Sequence, residues 1–172
     1  MVMLAQSPAM AVDERDLTTP TVAAKYTLGQ EIEFANKTTG LIDKYVYVTA
    51  HAALTQYAPY VINPASTSGG EYVTAAPATN TVKMVKVGIP QVAFTSSYFG
   101  FVKTQGQTTC VASTGLLNAY YGKAINTAAY VVESSTGVTV PGITSFCVCT
   151  SATSTGTSAT VNLIGDLVSV TT

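Results

Sequence analysis

Lys44-Tyr45-Val46-Tyr47-Val48-Thr49 is a run of β-branched and aromatic side chains, and it decides the class of the fold. In a helix most of these positions would lose side-chain freedom against the preceding turn, whereas a pleated strand accepts them all. Similar short runs recur at Glu31 to Phe34, Tyr60 to Ile62, Thr81 to Val87, Gln91 to Phe94, Tyr98 to Lys103, Thr108 to Ala112, Ala129 to Glu133 and Phe146 to Thr150. A last one spans Ala159 to Val170, with a break near Gly165-Asp166. Turn residues separate them: Gly40, Pro64, Ser68-Gly69-Gly70, Pro77, Gly88, Pro90, Gly106, Gly115, Gly137, Pro141-Gly142 and Gly156. Strands at this spacing predict an all-β chain, with one compact barrel or sandwich over residues 26–172.

Within that pattern, Thr81 to Val87 changes phase after Met84, which predicts a β-bulge or burial on both faces. Ala50 to Gln56 and Ser113 to Tyr121 are too short or too glycine-interrupted for more than one helical turn. Thr150 to Ser158 is low in complexity and has little to bury, so it reads as an exposed hairpin tip. Residues 1–25 sustain neither period, carry the cluster Asp13-Glu14-Arg15-Asp16, and predict an extended N-terminal arm.

The 172 residues suffice for a domain with its own core. Only 10% are charged, while Ser and Thr make up about a quarter. Such a surface is mostly neutral hydroxyl, which hydrogen-bonds a partner without the desolvation cost of an ion. Net charge is −1 and the basic residues are scattered, so no nucleic-acid footprint is present. No apolar run reaches the roughly 18 residues of a membrane span, and no membrane association is expected. Ala9-Met10-Ala11 has the small-residue pattern of a signal-peptidase site, but no basic residue precedes it.

Groups able to do chemistry are sparse. His51 has no carboxylate or cysteine within five positions, and no motif surrounds Cys110 as a nucleophile. Cys147 and Cys149 share one face of a strand about 7 Å apart, too far for an unstrained disulfide, and read as small buried hydrophobes. They lack two evident further ligands for zinc. There is no calcium loop, phosphate loop or glycosidase-like carboxylate pair. The expectation is therefore no catalytic residue, no metal and no cofactor. Tyrosine pairs at Tyr45 and Tyr47, Tyr57 and Tyr60, and Tyr120 and Tyr121 either form a contact surface or, as the commoner use, pair across the sheet.

Two stretches carry a resemblance. Tyr45-Val46-Tyr47-Val48-Thr49-Ala50-His51-Ala52-Ala53-Leu54, with Gly29 ahead of it, is similar to the opening strand and small-residue turn of small tailed-phage virion proteins. Tyr98-Phe99-Gly100-Phe101-Val102-Lys103-Thr104-Gln105-Gly106, followed by Thr108 to Val111 and Ala124 to Val132, resembles the Gly-x-Val-x-Thr-x-Gly hairpin of phage capsid decoration (cement) proteins. The resemblance covers residues 26–135 and leaves Cys147-Val148-Cys149 and the threonine-rich C-terminal part unmatched. It implies a β-tulip-like domain that binds the major capsid protein on the virion surface, self-associates as a homotrimer, and reaches a neighbour through its arm. On that reading Val12, Asp13, Glu14, Arg15, Asp16 and Leu17 are the expected contacts, and removing residues 1–25 should weaken binding while sparing the fold. Two other readings fit the composition: a head-fibre base, tail or baseplate component, and a secreted binding module. A hydrolase built on His51 and Cys110 is the enzymatic alternative.

Overall fold

Tyr45, Val46, Tyr47 and Val48 are all buried, so the strand that decides the class is covered on both faces. The computed structural model describes residues 12–63, 73–75, 86–112, 121–124, 132–134, 145–151 and 158–165. Among them ten strands form one sheet: β1 (Glu31–Ala35), β2 (Ile42–Ala50), β3 (Tyr60–Asn63), β4 (Val73–Ala75), β5 (Lys86–Pro90), β6 (Phe99–Cys110), β7 (Tyr121–Ala124), β8 (Val132–Ser134), β9 (Ser145–Cys149) and β10 (Ala159–Ile164). The order is β1-β2-β4-β3-β5-β6-β10-β9-β7-β8, with β2 also paired to β6. All pairings are antiparallel except β2 with β4. The expected all-β class therefore holds. The sheet as a whole is not closed into a barrel, although pairings from β2 through β4, β3, β5 and β6 return to β2.

Three hydrophobic clusters follow from this layout. The central one takes Val46, Val48 and Ala50 from β2, Tyr60 and Ile62 from β3, Val102 from β6, and Leu54, Ala58 and Phe94 from the corners between strands. On the opposite face of β2 and β6, Tyr45, Tyr47 and Phe101 pack with Ile32, Val12 and Leu17. Behind β3 and β5, Val61, Val87 and Ile89 meet Cys110, Phe146, Cys147, Cys149, Val161 and Leu163. Alternation along β2 thus divides tyrosines from valines between two cores.

Several expected boundaries moved. Gly88 and Pro90, read as separators, lie inside β5. A Cβ on Gly88 would come within 2.6 Å of the Val102 side chain, so glycine is required by the close approach of β6. Pro90 ends its strand, where a missing N–H is tolerated. Gly106 does not turn a hairpin: β6 runs through it for 12 residues. Opposite β2 the register jumps from Lys44↔Gln105 to Tyr45↔Lys103, leaving Thr104 as the extra residue of a bulge.

Gln91 to Phe94 is an irregular corner joined to the other corner by an isolated Leu54↔Phe94 bridge, and Ala50 to Gln56 forms no helical turn. β7 runs through Gly122. β9 and β10 form the expected hairpin, and β10 ends before Gly165 at φ +94°. Residues 76–85, 113–120, 125–131, 152–157 and 166–172 lie outside the described residues, and with them most of the Thr81 to Val87 run, the Ser113 helical turn and the hairpin tip.

Candidate functional site

The Asp13-to-Leu17 segment, expected as part of an extended arm, is a 3₁₀ turn (Glu14–Thr18) docked on the sheet. Asp13 caps it: its Oδ1 accepts a hydrogen bond from Arg15 N at 2.9 Å, satisfying a donor left free at the start of a turn. Thr19 Oγ1 closes the other end by donating to Arg15 O at 2.8 Å. The turn places Val12 and Leu17 inward, only 3% and 8% exposed, against Tyr45, Tyr47 and Phe101. Glu14–Thr18 is thus a docked turn rather than extended chain, because two apolar side chains at this spacing find an apolar face to cover. Residues 1–11 lie outside the described residues.

Polar contacts secure the same segment. Asp16 receives Lys25 Nζ at 2.8 Å and the Tyr26 hydroxyl. The Lys25 bond, reinforced by that of Tyr26, holds the Asp16 carboxyl below its ordinary value. Burial, with Asp16 beside it, pushes the Tyr26 phenol up to about 12. The backbone N–H of Lys25 donates to the Tyr47 hydroxyl at 3.0 Å, giving this buried tyrosine a partner. Thr21 and Phe99 exchange backbone hydrogen bonds at 2.8 Å, which binds the segment to β6. Tyr26 meets Tyr47 edge to face, Tyr47 stacks on Phe99, and Phe101 lies tilted against Tyr26 and Tyr47. The β2 tyrosines are therefore core, not a contact surface.

What the turn leaves outside is a cleft of about 610 Å³ lined by Asp13, Glu14, Arg15, Leu17, Thr18, Tyr45, Tyr57 and Gln91. Of the six residues expected to make contact, Asp13, Glu14 and Arg15 are exposed at its mouth, Asp16 is tied to Lys25 and Tyr26, and Val12 and Leu17 are inside. Tyr57 and Gln91 were not foreseen as members. Their signal was available only through the Leu54↔Phe94 bridge, which brings two distant corners together. Tyr57 stands at φ +62°, uncommon for a bulky residue, with its N–H donating to Pro90 O and its carbonyl accepting from Val111 N. The arrangement offers carboxylates, a guanidinium, an amide and a phenol ring to a polar partner, and no nucleophile beside a base.

The other chemical candidates are scattered. His51 is exposed in the first corner, while Cys110, Cys147 and Cys149 are buried in the cluster behind β3 and β5. Burial and the neighbouring Cys149 push the Cys110 thiol up to about 12, and a hydrogen bond with Cys149 together with burial raises that of Cys147. Among the described residues no group of three His, Cys, Asp or Glu side chains is placed to hold a metal ion.

No family model matches this sequence, and no curated protein matches it. Among solved structures the fold is similar to the crystal structure of the head fiber gp8.5 N base in bacteriophage phi29, with a TM-score of 0.46 and 9% identity. That likeness covers 72% of this chain and 96% of the phage chain.

Proposed function

We propose that the chain is a capsid decoration protein of a tailed phage, which binds the outer surface of the major capsid protein shell as a homotrimer and stabilises the head. It carries no catalytic activity and needs no cofactor. The observation that carries this reading is the docked N-terminal turn. Val12 and Leu17 anchor it on the sheet, which presents Asp13, Glu14 and Arg15 together at the mouth of the cleft. Among the described residues, Asp16 of the same turn and Glu31, Glu33 and Asp43 of the strands are each paired with a lysine. The turn thus presents charge without an ion-pair partner on a surface otherwise rich in hydroxyls, as suits a docking module whose backbone is already ordered before binding. The sequence resemblance to decoration proteins supplies the partner. Stabilisation is then mass action: a protein that binds only the assembled shell lowers the free energy of that state at every copy bound.

Co-sedimentation with expanded heads lacking their decoration tests this. Wild-type protein should bind at hundreds of copies per particle, and Asp13→Ala/Glu14→Ala/Arg15→Ala should bind at least ~10-fold more weakly, about 1.4 kcal/mol. Equal binding by the triple variant would remove the turn from the interface. A few copies per particle would assign the chain to a fibre base or tail instead. Sedimentation velocity of the free protein reads out the trimer.

A further inference from the structure

A set of contacts at the two corners recurs at an offset of 40 residues. Tyr57 N donates to Pro90 O at 2.9 Å, and Ser97 N donates to Ala50 O at 2.7 Å. Ala58 N donates to Thr55 O at 3.3 Å, and Tyr98 N to Thr95 O at 3.1 Å. Leu54 and Phe94 exchange both backbone bonds at 3.0 Å. Side chains follow suit, since Gln56 donates to the Gln91 carbonyl at 2.8 Å and Ser96 to the His51 carbonyl at 3.2 Å. Tyr57 and Ser97, the non-glycine residues at positive φ among those described, stand at +62° and +66°.

An antiparallel ladder has a two-fold axis by construction, so matching register between β2–β6 and β3–β5 proves little. Irregular corners carry no such obligation. Their shared bends, turn bonds and left-handed residues at one offset point to a common unit. Only Ala53/Ala93 and Thr55/Thr95 are identical between residues 46–62 and 86–102, so the repeat is legible in geometry rather than in sequence.

We infer that β2–corner–β3 and β5–corner–β6 are one strand–corner–strand unit present twice, clasped about a local two-fold axis through the Leu54–Phe94 bridge, and that β4 is a wedge inserted into the first copy. The wedge is where the symmetry breaks. In the second copy Ile89 pairs with Lys103 and Pro90 with Val102. The equivalent partners in the first copy are Thr49 with Asn63 and Ala50 with Ile62. These do not meet: Val73 lies between Thr49 and Asn63, and Thr74 between Ala50 and Ile62. A three-residue strand from the connection between β3 and β5 fills a slot that the other copy keeps closed.

Two measurements test this separately. Ala50 N donates to Tyr98 O at 2.8 Å, and its counterpart would run from residue 90 to Ala58 O, but Pro90 has no N–H to give. In Pro90→Ala the new amide should exchange at least ~10-fold more slowly than that of the exposed Ala93. Exchange at the rate of Ala93 would overturn the two-fold clasp. Replacing residues 64–85 by a short Asn-Gly hairpin turn should leave a cooperative melt and create cross-strand NMR contacts between Ala50 and Ile62 and between Thr49 and Asn63. A variant that loses cooperative melting, or that folds without those contacts, overturns the wedge.

Discussion

Gly106 shows how one position can depend on its neighbour's charge. Its φ of +98° suits glycine, and a Cβ there would lie 2.0 Å from Asp43 Oδ1. Asp43 is itself buried, bonded through Oδ2 to Lys103 Nζ at 2.7 Å and to Asn36 Nδ2 at 2.9 Å, while Oδ1 has no partner. Lys103 also donates to the Gln107 carbonyl and lies 5.6 Å from the centre of the Tyr45 ring. A Gly106→Ala change therefore combines backbone strain with a clash on a carboxylate that cannot retreat without leaving its lysine. It should cost about 3 kcal/mol or more, read as a lowered denaturation midpoint. Lys103→Met should cost about 3–5 kcal/mol because it strands Asp43, whereas Lys103→Met/Asp43→Asn should recover a good part of that loss. If the double variant is no more stable than the single one, the stranded charge is not the cause.

The N-terminal turn and its cover on β2 and β6 stand or fall together. Leu17→Ala empties a nearly closed site and should cost about 2–3 kcal/mol, and removal of residues 1–25 should unfold the domain by baring Tyr47 and Phe101. This expected outcome is the opposite of the one drawn from sequence. Acid weakens the same element with a definite sign. Asp16 is held below its ordinary value of 3.8, so its stabilisation is present above about pH 3.8 and fades as pH falls through the lowered pKa. Tyr26 is raised from 10.0 to about 12, so its share is present below pH 10 and lost as pH climbs toward 12. The gap in Tm between wild type and Asp16→Asn should be open at pH 6 and narrow progressively as the pH falls below 3.8; a gap that does not narrow would show that the pair is not the source. Of these elements, sequence made the strands legible wherever Val, Tyr and Phe dominate, as in β2. It missed the turn, although Asp13 ahead of Glu14 and Asp16 is a capping signal, because its burial depends on an apolar face supplied by strands up to 84 residues away, at Phe101. It also read Gly88 and Gly106 as breaks, since close backbone approach and a buried carboxylate leave no mark in the one-dimensional pattern.

Across the whole molecule the question is whether the three clusters unfold as one. Val12 and Leu17 close the cluster on one side of the central strands, while Cys110, Cys147 and Cys149 lie in the cluster on the other. Tyr47 and Phe101 on the first side are backbone neighbours of Val46, Val48 and Val102 in the central cluster, and β3 and β5 link that cluster to the thiols. A void under Leu17 should therefore be felt at the cysteines through shared strands, with no direct contact. Where opening and reclosing outpace modification, thiol labelling tracks the population of the open state. A loss of about 2 kcal/mol at Leu17 should then speed labelling of the three buried thiols roughly 30-fold at fixed pH. Labelling by an aromatic disulfide reagent in wild type and in Leu17→Ala measures it directly. An unchanged rate would mean that β7 to β10 open by themselves, and the chain would have to be treated as two cooperative units rather than one domain.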